Sequence, residues 1–183
     1  MTNIENSDAL RLLDFWLGAG PDRWYARSDE FDGLCAAWIP QWEEAASGAL
    51  DGWSATAAGS LALIILLDQI PRNVFRGSAR QFETDAKAVA AAEAAVAAGH
   101  DKTQRLPVRL FYYLPFEHAE DEALQEKALD LIRPLKNQDA YYWALVHADA
   151  VRRFGRFPHR NAVLGRETTA AERAYLESGG FGA

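Results

Sequence analysis

The chain has 183 residues and a formal net charge of −7, with 49% hydrophobic and 25% charged residues. That balance excludes global disorder and allows a sizeable buried core. Alanine occurs 34 times against 7 valines and 6 isoleucines, which excludes an all-β fold and points to helices. The acidic average disfavours general binding to a phosphate backbone, so no nucleic-acid partner is expected.

The N-terminal residues carry Glu5 and Asp8 with no basic stretch and do not read as a secretory signal. Ser7 and Asp8 mark a helix start, Leu10, Leu13 and Phe15/Trp16 its apolar side, and Gly18 its stop. Ser28 caps a second helix, which Pro40 ends or kinks. Cys35 is the only cysteine, so no intramolecular disulfide or Cys-based zinc site can form. Its neighbours Leu34, Ala36 and Ala37 suggest a buried, inert thiol.

From Ala57 to Gln69 the pattern is apolar on every face, the mark of a central helix, and Pro71 closes it. Asp68 falls on the stripe of Leu61, Ile64 and Ile65, so a carboxylate is expected inside. The run Leu61–Leu67 is far shorter than the roughly 20 residues of a membrane span, and no membrane partner is expected. A cytoplasmic location follows from these readings.

Thr84 caps an alanine-rich helix to Ala98, and Pro107 opens a short aromatic segment stopped by Pro115. Glu120, Asp121 and Glu122 start the next helix, which Pro134 ends or kinks. A long helix from about Asp139 to Phe154 carries Trp143, His147, Ala150, Val151 and Phe154 on one face, with Gly155 as its stop. Thr169–Glu172 forms a capping box for a last short helix. The expectation is an all-α single domain over residues 1–183, with about seven or eight helices in consecutive pairs joined by short connections. The six tryptophans are expected mostly in the core, although Trp53 and Trp143 are candidates to line a groove.

Three polar segments break the helical pattern: 68–77, 113–121 and 154–161. The first and third share an order of apolar residue, proline, then Arg-Asn, as in Ile70-Pro71-Arg72-Asn73 and Phe157-Pro158-His159-Arg160-Asn161. Proline fixes the backbone and the aromatics bury the loop, so the guanidiniums are aimed. Arginine suits bidentate grip on carboxylate or phosphate. Residues 151–183 hold six arginines against three glutamates, a local cationic surplus on an acidic chain. The candidate ligand-binding residues are Asp68, Gln69, Arg72, Asn73, Arg76, His118, Glu120, Asp121, His147, Arg156, His159, Arg160 and Asn161. A structural reading stands beside this one: Asp68 staples Arg72 one turn on, Glu120 and Asp121 pair or cap in the same way, and His147 is a hydrogen-bonded core residue.

The chain carries no H-E-x-x-H, no EF-hand loop, no glycine-rich phosphate loop and no G-x-S-x-G elbow, so neither a metal nor a cofactor is expected. No residue stands out as catalytic.

These segments resemble the bacterial and plant family called domain of unknown function 924. The matching stretches are LDFWLG from Leu13, LALIILLDQIPRNVFRG from Leu61, and Phe82, Thr84 and Asp85. FYYLPFEHAED from Phe111 with Gln125, and FGRFPHRNAVLGRE from Phe154, complete the set. The resemblance spans about residues 10 to 180. It implies an all-helical, tetratricopeptide-like superhelix and no activity. Its motif polar residues fall on the candidates named above and also on Asp85 and Gln125. Two departures stand out: Ala119 where the family usually has Ser, and Ile70 where it has Phe. The missing hydroxyl at 119 removes a candidate cap and argues against a nucleophile there.

Three functions fit. The first is a small-ligand binding protein taking a phosphate- or carboxylate-bearing anion. The second is a hydrolase or lyase on an anionic substrate, with His118 or His159 as general base and Asp68 or Glu120 orienting it. The third is a scaffold holding a peptide partner in a helical groove.

Overall fold

The computed structural model describes the backbone of residues 5–182 and the side chains of 7–182. The N-terminal signal reading therefore lies partly outside the described residues. Their regular structure is entirely helical, with no β-strand among the described residues. They group into two compact units, one running up to residue 76 and over 80–115, the other over 77–79 and from 116 onward.

The first unit contains α1 (Glu5–Ala19), α2 (Pro21–Trp24), α3 (Asp29–Cys35), α4 (Ile39–Ser47), α5 (Ala57–Ile64), α6 (Ile70–Val74) and α7 (Asp85–Ala97). Helix α1 is already under way at Glu5, two residues before the expected start. Ser28 caps α3 by accepting from the Phe31 N–H, and Pro40 sits in the first turn of α4 after a short 3-10 turn, so the expected kink is present. Helix α5 packs against both α1 and α7, so the pairing here is not between consecutive helices. Residues 59–71 are all buried, as the apolar periodicity requires of a central helix. Trp16, Phe31 and Phe111 fill the space beside it, and the Trp24 indole donates to the Trp16 carbonyl at 2.6 Å.

Pro71 does not close the central helix. The chain winds through a π-turn, Ile65–Gln69, and continues into α6 with Pro71 in its first turn. Proline has no N–H, so the Leu67 carbonyl loses its i+4 donor. The Thr84 hydroxyl replaces it, donating to Leu67 O at 2.6 Å while accepting from Trp42 Nε1 at 3.1 Å. Thr84 still precedes α7, but its side chain makes no cap bond there, because it is used across the core. Replacing Thr84 with Val strands a buried carbonyl and a buried indole N–H. We expect a loss of about 1–3 kcal/mol in urea denaturation, largely restored by Thr84→Ser. A Thr84→Val protein as stable as the parent contradicts this role.

The second unit contains α9 (Glu122–Ile132), α10 (Gln138–Phe154) and α11 (Ala170–Glu177); the short helix α8 (Leu114–His118) begins in the first unit and ends in the second. Asp121 caps α9, Asn137 caps α10, and Thr169 with Glu172 forms the expected capping box on α11. Gly155 ends α10 at φ +66, a conformation that favours glycine. Helices α9 and α10 pack together, and the buried face of α10 runs through Ala144, Ala148 and Val151. Trp143 is 52% exposed, which corrects its placement in the core. Small residues let two helices approach closely, so alanine took the face that size alone assigned to tryptophan. The other five tryptophans are buried. Among the described residues, no helix is long and apolar enough to cross a membrane.

Candidate functional site

The first and third polar segments lie in different units. Arg72 and Arg76 belong to the first, Arg156 and Arg160 to the second. In the first unit the π-turn brings Asp68 and Gln69 inward, and Asp68 is 1% exposed. Arg72 bridges Asp68, at 3.1 Å, and Asp85, at 2.9 Å, and also donates to the Asp68 carbonyl at 2.6 Å. Burial opposes its charge, but the two carboxylates more than offset this and hold the guanidinium above its ordinary range. Gln69 donates to Asp68 at 2.5 Å, and Asn73 donates back to the Gln69 carbonyl at 3.0 Å. Arg76 forms a two-pronged pair with Asp32, at 2.9 and 3.1 Å. Five candidates from the first segment thus form acid–base and amide staples within one unit.

In the second unit, Glu120 receives two hydrogen bonds from Arg166, at 2.6 and 2.9 Å, and one from the Phe157 N–H at 2.8 Å. Burial alone would raise its pKa, but Arg166, the Phe157 amide and Arg160 together pull it below the usual carboxylate range. Arg166 also donates to Asn161 Oδ1 at 3.0 Å, so the 154–161 loop is anchored at both its ends. Arg156 grips Glu172 at 2.6 and 2.9 Å, and these bonds with the Thr169 contacts bring that carboxyl down to about 2. Asp121 serves as the cap of α9.

The remaining candidates meet in this unit. His147, His159 and Arg160 gather around Phe157, and His118 lies beside His147. The His118 and His147 rings are 6.0 Å apart, and both His147 and His159 have ring centres 5.7 Å from Phe157. The Arg160 guanidinium lies 4.5 Å over the Phe157 ring. His147 Nδ1 is 2.8 Å from the Trp143 carbonyl and 3.7 Å from Glu117, so the proton of the neutral ring belongs on Nδ1. Burial, then electrostatic coupling to His118, Arg160 and His159, depress His147 to about 3. Burial and Arg160 likewise depress His159 to about 4. His159 Nδ1 is buried with no hydrogen-bond partner among the described residues.

Glu117, Arg166 and Phe181 complete this neighbourhood and were not among the sequence candidates. Glu117 sat inside the second polar segment beside His118 and was legible there. Arg166 and Phe181 lie outside the three segments. Phe181 comes within 4.2 Å of His147 and 4.9 Å of His159, ring centre to ring centre. Among the described residues no group of three or more His, Cys, Asp or Glu is placed to hold a metal ion.

The fold and these staples define a class of all-helical protein whose polar motifs are tied inside the units that carry them. The chain matches the family described as bacterial protein of unknown function DUF924 over residues 12–180, and it belongs to that family. It is similar to a solved structure described as a protein of unknown function, ATU0120, from Agrobacterium tumefaciens. The two share 46% identity and a TM-score of 0.91, over 94% of this chain and 98% of that one. No curated protein matches.

Proposed function

We propose that the second unit binds a small anion, phosphate- or carboxylate-bearing, at the imidazole–Arg160 cluster. One observation carries the reading: three imidazoles and the Arg160 guanidinium share a partly buried neighbourhood, with Glu117 3.7 Å from His147. His147 and His159 sit at about 3 and 4 because protonating either places a cation beside others at low solvation. An anion relieves that repulsion, and the buried His159 Nδ1 offers it a hydrogen-bonding atom. Arg72, Arg76 and Arg156 hold carboxylates of their own unit, and Arg160 lies near enough to Glu120 to lower that carboxyl. Binding is favoured over general-base catalysis, since an imidazole held this low is a weak base at neutral pH. The peptide-scaffold alternative needs exposed side chains, whereas Asp68, Gln69, Asn73, Arg160 and Asn161 are buried. A cytoplasmic location accords with this reading through the single reduced cysteine, Cys35, which is buried.

The experiment is an NMR titration of the imidazole resonances with inorganic phosphate and, separately, succinate. Bound anion stabilises the imidazolium, so the His147 and His159 titrations shift upward and affinity increases as the pH falls from 7 to 5. His159→Gln weakens binding severalfold. Unchanged imidazole titrations in both anions up to tens of millimolar sink the proposal.

A further inference from the structure

A second concavity in the same unit is lined by aromatic and acidic side chains. An open cavity of about 370 Å³ is lined by three aromatic rings, Tyr142, Tyr175 and Phe181, with Asp149 on its wall. Gly179 and Gly180, just past the C-terminus of α11, complete that wall. We infer that this cavity binds a small organic ammonium ion of the quaternary type.

Three features favour a cation there. Aromatic faces attract ammonium groups through the ring quadrupole, and methylated ammonium ions lose less hydration on entering such a cage than primary ones. Asp149 supplies a carboxylate. The C-terminal end of α11 presents the negative end of its dipole. The protein already uses part of this chemistry: the Arg153 guanidinium lies 5.4 Å over the Tyr175 ring and 3.6 Å from Asp149. Arg153 lines an adjoining depression that shares Tyr175 with this cavity. The wall is also fixed in place. A Cβ at Gly180 would fall 2.5 Å from the Tyr175 carbonyl, so only glycine lets the chain turn here, and the Phe181 N–H donates to the Tyr175 hydroxyl at 2.9 Å. The exposed side chain of Tyr142, 60% accessible, closes the opposite rim.

The test separates charge from shape. The protein is titrated with choline and with its uncharged isostere 3,3-dimethyl-1-butanol, following the ring protons of Tyr142 and Tyr175. Choline is expected to bind at least about tenfold more tightly than the alcohol, within the range of cation–π and charge contributions. Tyr142→Ala and Asp149→Asn, both at exposed positions, each weaken choline about threefold or more with unchanged thermal melting. Equal affinity for the two compounds, no binding of either, or choline binding that survives both substitutions overturns the inference. This outcome is independent of the phosphate titration, which reads the imidazoles.

Discussion

Replacing Arg72 with Met lowers stability by about 3–5 kcal/mol, the cost of leaving buried carboxylates without their counter-charge. Asp68 is almost wholly inaccessible and Asp85 only partly exposed, and both point at the same guanidinium. Removing the cation leaves each to bear its desolvation alone. The effect is read by urea denaturation with tryptophan fluorescence, which reports chiefly on the first unit because Trp16, Trp24, Trp38, Trp42 and Trp53 all lie there. Adding Asp68→Asn to Arg72→Met recovers part of the loss, since a neutral amide costs less to bury than a stranded charge. A single variant within about 1 kcal/mol of the parent, the range of a surface ion pair, would falsify the buried staple.

Acidification produces the second large effect. His147 and His159 titrate at about 3 and 4 in the folded chain, against an unfolded value of about 6.5. Between those values the unfolded chain binds more protons than the folded one, so stability falls as the pH falls. From pH 7 to pH 4 the two shifts together correspond to a loss on the order of 6 kcal/mol. Glu172, held at about 2 by Arg156, acts in the same direction but in a lower window, below about 4.5. The two contributions overlap below about 4.5, and above that pH only the histidines act. A His147→Gln/His159→Gln protein keeps its stability between pH 6.5 and 4.5 and declines only below that. Equal slopes for parent and variant across the upper window would exclude the imidazoles as the cause. Bound phosphate is expected to flatten the upper window in the parent alone.

Most helices were legible because their signals are local. Ser28, Asp121 and the Thr169–Glu172 box cap where their side chains reach the first turn, and Gly155 stops α10 through its own backbone freedom. The exceptions are equally specific. Pro71 fits into a helical path because Thr84, 13 residues further on, satisfies the orphaned carbonyl of Leu67. Trp143 lies outside because the alanine face of α10 packs more closely.

For the candidate site the division is similar. Residue types and loop grammar singled out the arginines, histidines and carboxylates, and the inward position of Asp68 followed from helical spacing. Which partner each would meet depended on long-range folding. Arg76 reaches Asp32 44 residues away, and Arg166 reaches Glu120 across 46. Arg160, His147 and His159 meet only because the chain returns to Phe157, and His118 joins them through His147. Periodicity, caps and composition act over a few residues and can be read along the chain. Charge pairing and imidazole burial are set by which distant segments share a neighbourhood, and that is decided by tertiary packing.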